Sequence, residues 1–215
     1  MGVDAVETFR SSFKTVRILT KMKNEEEIES FCPASQGDWR AWLAENHRSK
    51  QSVWLVYHKI KSNVPSILWS QAVDEALCFG WIDSTARSID DKTFMQFFCR
   101  RKPNSVWSKI NKAKVERLIN EGLMTTAGFD SIEKAKQNGS WTILDDVEEL
   151  KIPKDLTLAF KIHRGSSPFF MGLSKSVQKS ILQWLVLAKK PETRQKRINE
   201  IALLAGQKLK PVQFR

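Results

Sequence analysis

The chain has 215 residues, of which 41% are hydrophobic and 27% charged, as in soluble proteins long enough to bury a core. The formal net charge of +11 favours anionic partners, such as phosphates, acidic small molecules or nucleic acid. Three widely spaced cysteines exclude a disulfide scaffold and a local zinc ligand set, and no apolar run reaches the roughly 18 residues of a membrane span.

The N-terminal segment, residues 1–25, is expected to be a flexible basic leader. It lacks the apolar stretch of a secretory signal, so we expect a cytoplasmic protein. Met22 stands just before an acidic stretch and is an alternative start, which leaves open whether residues 1–21 belong to the native protein. At the other end, residues 207–215 are expected to form a basic tail.

The two helices predicted between residues 26 and 103 follow from caps and apolar spacing. The first has Asp38 as its cap and presents Trp39 and Trp42 on one face. The second begins near the capping candidate Ser70 and closes at Gly80.

Strands are predicted between and after these helices. Residues 52–59 alternate in a way that indicates a strand with both faces covered. The β-prone segments 81–90 and 92–100 predict an antiparallel hairpin that pairs with that earlier strand. Residues 26–103 are therefore expected to form an α/β lobe, with a small antiparallel sheet and flanking helices.

Beyond Pro103 the pattern becomes helical, and residues 104–206 predict a helical lobe. Its first helix has Ser105 or Asn104 as cap, and Pro191 divides its longest helical run into two helices. The side chains expected to face inward include Ile110, Val115, Leu118, Ile119, Phe129, Ile132 and Ala135. The predicted fold is a single compact, helix-dominated α+β unit over residues 26–206.

Common catalytic signatures are absent from the sequence. It contains no G-x-G-x-x-G, Walker-type loop, H-E-x-x-H or G-x-S-x-G pattern, and its three histidines are scattered. We expect no cofactor and no metal site, and a binding role is favoured over catalysis. An enzyme that uses Asp83, or the Cys99 thiol beside its cations, stays open as an alternative.

The stretch "ALCFGWIDS" admits two interpretations. In the first, Gly80 lets the backbone turn sharply from helix to strand, and the stretch is a tight junction packed by the Trp81 indole. Alternatively it is a pocket floor, where Trp81 stacks on a ligand and Asp83 accepts a hydrogen bond from it.

The stretch "FFCRRKPNSVWSK" adds cations to that candidate site. Arg100 and Arg101 point to opposite faces if they end a strand, so one of them can face a cleft. A helix start near Ser105 and Ser108 has free N–H groups that favour an anion. Trp107 and Asn111 are the remaining candidates for anion binding in this stretch. The alternative to a binding site is a capped helix that follows a solvated basic loop.

Two long motifs carry a family resemblance. The segments "EALCFGWIDS" and "RRKPNSVWSKINKAKVERLINEGLMTTAG", with 52–59 and 188–198, resemble the YdeI/OmpD-associated, bacteriocin-protection family over residues 26–206. The resemblance implies a bacterial α+β protein with a role in bacteriocin or envelope stress resistance. It assigns no chemistry to the candidate site.

The hypothesis favoured at this point is the binding of an anionic small molecule or protein partner where the two lobes meet. A nucleic-acid-binding module is the main alternative, because lysines and arginines recur along the predicted C-terminal helices.

Overall fold

A computed structural model of the chain describes residues 28–215, so the predicted leader lies outside the described residues. The strands are β1 (Ser30–Phe31), β2 (Ser52–His58), β3 (Trp81–Ser88) and β4 (Thr93–Arg100). The helices among the described residues are α1 (Gln36–Asn46), α2 (Trp69–Cys78), α3 (Lys109–Asn120), α4 (Thr126–Gln137), α5 (Asp145–Glu148), α6 (Lys154–Ile162), α7 (Ser166–Met171), α8 (Lys175–Val186) and α9 (Pro191–Gly206). The helix-dominated α+β prediction is confirmed.

The chain divides into two compact units. Among the described residues, the first unit contains 28–101 together with Leu118–Ser131, and the second contains Lys102–Arg117 together with Ile132–Arg215. Helix α3 thus runs from the second unit into the first, and helix α4 runs back. The predicted lobes differ from these units in placing the stretch 118–131 with the helical part.

The sheet of the first unit has the order β1-β2-β4-β3. Strand β4 pairs antiparallel with both β2 and β3, so the predicted hairpin and its pairing with the earlier strand are confirmed. The sheet is mixed rather than purely antiparallel, because β1 pairs parallel with β2. A strand of only two residues carries no periodic signal, which is why the sequence did not predict it.

One face of this sheet is packed by aromatic side chains of α1. Antiparallel partners share a face, which places Val53 with Phe98 and Trp81 with Arg100. The Trp39 ring lies edge-on to Phe98 with 5.4 Å between ring centroids. The core of the first unit is therefore built around large aromatic rings.

The predicted caps of α1 and α2 are wrong by a few residues. Ser35 caps α1, and Asp38 stands three residues later, where its Oδ2 accepts the Ser35 backbone N–H at 2.9 Å in a capping box. Helix α2 begins at Trp69, before Ser70, and follows Leu68. The Gln71 side chain accepts the Leu68 N–H at 3.0 Å, so a side chain inside the first turn replaces the expected serine cap.

In α3 the start predicted at Ser105 or Asn104 is also wrong. The helix begins at Lys109, and the Ser108 hydroxyl accepts the Asn111 N–H at 3.2 Å. Three side chains expected to face inward are exposed: Ile110 by 71%, Ile119 by 39% and Phe129 by 43%. The other inward predictions are confirmed, so the buried stripe is narrower than the hydrophobic pattern implies.

The second unit has its core among the helices after Gly139. The buried members include Leu144, Val147, Leu156, Phe160, Phe170, Ile181, Leu182, Leu185, Ile198 and Ile201. The predicted break at Pro191 is confirmed, since Pro191 occupies the first turn of α9. In the basic tail, the Phe214 ring packs edge-on against Trp184 with 5.9 Å between centroids.

Across residues 28–215, none of the helices is both long and apolar enough to span a membrane.

Candidate functional site

The sequence-predicted site residues are divided between the two units. Trp81, Asp83, Arg100 and Arg101 belong to the first unit, and Ser105, Trp107, Ser108 and Asn111 belong to the second. Each group is described within its own unit.

Trp81 is a core residue. Its ring is fully buried and lies edge-on to Trp42 with 5.8 Å between centroids, and its Nε1 donates to the His47 carbonyl at 3.3 Å. Gly80 before it has φ +71°, and a Cβ there would lie 2.8 Å from the Ala127 carbonyl oxygen. The arrangement matches the tight helix–strand junction, in which the Trp81 ring is fully buried.

Asp83 is held by two donors from its own unit. Its Oδ2 accepts the Trp69 indole N–H at 3.0 Å and the Gln96 amide at 3.2 Å. Tyr57 is buried and stacks on Phe94 at 4.7 Å, and its hydroxyl has no hydrogen-bond partner in the described part of the chain. Burial, and then the negative charge of Asp83, raise the pKa of Tyr57 above its usual range.

The two arginines at the end of β4 are held in different ways. The Arg100 Nε donates to the His47 carbonyl at 2.9 Å, while its buried Nη2 has no hydrogen-bond partner among the described residues. The Arg101 backbone N–H donates to the Gly80 carbonyl at 2.9 Å. Burial lowers the pKa of Arg101 to about 10, and the charges of Asp83 and Cys99 offset this only in part. Arg101 therefore stays protonated at neutral pH.

In the second unit, Trp107 is likewise a core residue. Its ring is buried and packs against Trp141 with 4.9 Å between centroids. The Ser105 N–H donates to the Lys102 carbonyl at 2.9 Å in a turn, and the Ser108 hydroxyl caps α3 through the N–H of Asn111.

Two lysine side chains lie over the Trp141 ring. The Lys112 ammonium lies 5.3 Å and the Lys136 ammonium 6.0 Å from the centre of its ring. Lys112 in addition pairs with Asp145, and Lys136 pairs with Glu133 at 2.8 Å.

An open groove of about 360 Å³ lies between α5 and α8 of the second unit. Its α8 wall consists of Lys175, Ser176, Lys179, Ser180 and Gln183. The other side is formed by Leu144, Val147 and Glu148, and the Glu148 carboxylate pairs with Lys179 at 2.6 Å. The volume falls within the range of small-molecule sites. We call this feature the α5–α8 groove.

A smaller cavity of about 190 Å³ shares Glu148 with this groove and is lined by Lys109, Lys112, Asp145 and Glu149. Its three carboxylates outnumber its two lysines, and Lys112 is already paired with Asp145. The charges of the smaller cavity are therefore less favourable for an anion than those of the α5–α8 groove.

The residues of the α5–α8 groove were not among the sequence-predicted candidates. The signal was nevertheless present in "SKSVQKSILQ", where Lys175 and Lys179, and Ser176 and Ser180, repeat at a spacing of four. This spacing places the four donors along one stripe of α8, while Ile181 faces the core.

The three cysteines are free thiols: Cys32 is exposed, Cys78 is buried and Cys99 is half-buried. Within residues 28–215, no group of three or more His, Cys, Asp or Glu side chains could hold a metal ion. The catalytic alternative at Cys99 stays a prediction.

Two family models match parts of the chain. Residues 149–207 match the family described as bacteriocin-protection, YdeI or OmpD-associated, which confirms the predicted resemblance on this segment. Residues 31–131, where both long motifs of the resemblance lie, match a domain of unknown function, DUF8412. No curated protein and no solved structure matches the chain. The match to the predicted family is thus limited to residues 149–207, and the segment before it matches a domain of unknown function.

Proposed function

We propose that the chain is a binding protein for an anionic ligand or partner, and that Arg100 and Arg101 supply the charged contacts. The observation that carries this proposal is the Arg100 Nη2 atom, which is buried without a hydrogen bond in the described part of the chain. A buried donor left unsatisfied costs roughly 1–3 kcal/mol, and more when it belongs to a charged group.

An anion removes that cost. Guanidinium groups bind carboxylate and phosphate oxygens in a two-pronged arrangement that neutral acceptors do not reproduce. Arg101 adds a second cation at the end of β4, and its lowered pKa shows that burial outweighs the negative charges the protein places near it. Both side chains are half-buried, so part of each reaches the surface.

The contribution of Asp83 to such a site stays a prediction, and so does anion binding by Ser105, Ser108 and Asn111 within the second unit. Trp81 would support the arginine site from the core of the first unit rather than stack on the ligand, since its ring is buried. The matched family's description mentions bacteriocin protection and OmpD association, and we extend to this chain a cytoplasmic role in bacteriocin or envelope stress resistance.

A thermal-shift screen of phosphates, nucleotides and small carboxylates, followed by calorimetric titration of the hits, tests the proposal. Hits should lose at least about tenfold in affinity in Arg101→Ala, the loss expected for one charged hydrogen bond. Arg101→Lys keeps the charge but not the planar fork, and should restore only part of the binding.

Arg48→Ala is the matched control, because Arg48 is exposed and its loss changes the net charge equally. An affinity unchanged in Arg101→Ala, or equally reduced in Arg48→Ala, would contradict the proposal. Circular dichroism of each variant separates loss of binding from loss of fold.

A second candidate function is nucleic-acid binding, favoured by the two lysines over the Trp141 ring. Stacked bases and lysine contacts to phosphates are the usual elements of such sites. Binding to generic DNA or RNA that persists at physiological salt would support it, and binding already lost there would not.

A further inference from the structure

We infer that one end of the sheet in the first unit carries an apolar tip that inserts into the surface of an anionic lipid bilayer. The apolar tip consists of the side chains of Ile60, Val64, Leu68 and Ile89. Ile60 is 94% exposed, and the other three are between 48% and 60% exposed. This inference does not depend on the arginines at the end of β4.

Ile60 and Ile89 are brought together where two connecting segments meet. The loop after β2 begins at Lys59, whose backbone N–H donates to the Lys92 carbonyl at 2.7 Å. The Lys59 ammonium donates to the Asp90 carbonyl at 2.8 Å. Both acceptors belong to the turn between β3 and β4, which also contains Ile89. The residue before Ile60 is therefore fixed to the turn that contains Ile89.

The rest of this loop stays at the same end of the sheet. The Asn63 N–H donates to the Ile60 carbonyl at 3.2 Å, and Asn63 has the left-handed conformation, with φ 54°, that reverses the chain before Val64. The Ser66 hydroxyl then accepts the His58 N–H at 3.0 Å, which returns the loop to the end of β2. Backbone and side-chain hydrogen bonds thus hold the loop in place while its apolar side chains stay exposed.

The shape of the apolar tip favours a lipid surface as its partner. A side chain that is 94% exposed, as Ile60 is, projects from the molecular surface, so the tip is convex. Several large apolar side chains on one exposed patch are typical of a protein or membrane interaction site. A fluid bilayer adapts to a convex apolar projection, and each side chain that enters it gains the free energy of removal from water.

The charges around the apolar tip favour anionic lipids. Lys61 and Lys92 are exposed beside it, and Lys59 is half-buried. The carboxylates nearby are Asp90 and Asp91, and the Asp90 Oδ1 accepts two backbone N–H groups of the turn at 2.7 Å. The local net charge is +1, since 3 − 2 = 1, and the whole chain carries +11. Lysines at this position contact the anionic head groups while the apolar side chains lie deeper.

Co-sedimentation of the full chain with large vesicles tests the inference. The probes are vesicles of phosphatidylglycerol and phosphatidylcholine in equal parts, and vesicles of phosphatidylcholine alone. We expect the chain to bind the anionic vesicles at least about fivefold more tightly than the neutral ones. Ile60→Ser should lower the partition coefficient for the anionic vesicles roughly tenfold, because the most exposed apolar side chain of the tip is lost.

Ile110→Ser is the matched control. Ile110 is also highly exposed, but it lies in the second unit, so the partition coefficient should not change. Lys61→Gln should weaken binding to the anionic vesicles about fivefold and leave binding to phosphatidylcholine unchanged. Ile60→Trp keeps the tip apolar, and its added indole should emit at shorter wavelength when anionic vesicles are present. The indole added by Ile110→Trp should show no such shift.

Four outcomes would overturn the inference: no binding to either kind of vesicle, equal binding to both, equal losses in Ile60→Ser and Ile110→Ser, or a dimer in analytical ultracentrifugation that Ile60→Ser dissociates. The last would make the apolar tip an interface between two copies of the chain. Arg101→Ala, which tests the anion site at the end of β4, should leave the tenfold effect of Ile60→Ser intact, so that the two proposals fail independently.

Discussion

The two units use their cations differently. In the first, arginines lie beside buried groups. Arg40 pairs at 2.6 Å with Glu75, which is 4% exposed, and the buried Nη2 of Arg100 has no hydrogen-bond partner among residues 28–215. In the second, lysines line open cavities and pair with surface carboxylates. Guanidinium groups are hydrated more weakly than ammonium groups, so arginine suits buried positions better than lysine does. The first unit therefore offers few, strong contacts, and the second offers several weaker ones.

The largest effect should come from the aromatic core of the first unit. Trp81→Ala removes a fully buried ring and should lower the free energy of unfolding by about 3–5 kcal/mol. Trp69→Ala, at a half-exposed indole, should cost only about 1 kcal/mol, mainly its hydrogen bond to Asp83. Urea denaturation followed by circular dichroism measures both. Equal, small losses would mean that Trp81 lies at a ligand surface rather than in the core.

Two helical glycines of the first unit should respond with opposite signs. A Cβ on Gly128 would lie 2.4 Å from the Cys78 carbonyl oxygen, so Gly128→Ala should cost about 2 kcal/mol. Gly37 in α1 meets only the Ser35 hydroxyl at 3.7 Å, so Gly37→Ala should stabilise by about 0.5–1 kcal/mol. Thermal melting of the two variants and of the unmodified protein, measured in parallel, checks both predictions. A stabilising Gly128→Ala would show that the α4 contact is looser than described.

Tyr57→Phe tests whether the buried hydroxyl of the first unit lacks a partner. Removing an unsatisfied polar atom while keeping the ring should raise the free energy of unfolding by about 1 kcal/mol. A loss of stability on chemical denaturation would instead indicate that the hydroxyl is hydrogen-bonded, for example to a bound water.

The smallest effect should come from a surface ion pair of the second unit. Hydrogen bonding to Arg194 lowers the pKa of Asp155, so this pair stabilises the fold above the unfolded-state pKa, about 4, and the stabilisation is lost as pH falls through the folded-state pKa. Both side chains are partly exposed, so Asp155→Asn should cost less than about 1 kcal/mol at pH 7. The melting curves of the two proteins should converge below pH 4. A gap that widens in acid would exclude this explanation.

The sequence predicted the elements that hydrophobic periodicity and helix-breaking residues determine. These are the strand at Ser52–His58, the hairpin that pairs with it, and the helix break at Pro191. Its choice of Asp38 as the cap of α1 was wrong, because Ser35 is an equally good capping residue and tertiary context selects between the two. It also did not predict the two-residue strand β1 or the short helices α5 and α7, which hold too few residues for a period.

The candidate site was predicted only in part. The sequence suggested Arg100 and Arg101 as the cations of the site, which stays a prediction. It also suggested ligand stacking for Trp81 and Trp107, whose rings are buried in the structure. Whether an indole faces a core or a cleft depends on contacts such as Trp42 with Trp81, which no local pattern encodes. The α5–α8 groove was missed because Glu148, 27 positions before Lys175 in the sequence, completes it (175 − 148 = 27).

The measurement that tests the central claim most directly is an NMR titration of the arginine side-chain Nε–Hε signals with phosphate and a small carboxylate. We predict that the Arg100 and Arg101 signals shift and saturate, because one of these anions binds the buried guanidinium groups, while the Arg48 signal does not move. Signals of Arg100 and Arg101 that stay fixed, or that drift together with Arg48 as ionic strength rises, would contradict anion binding at the end of β4.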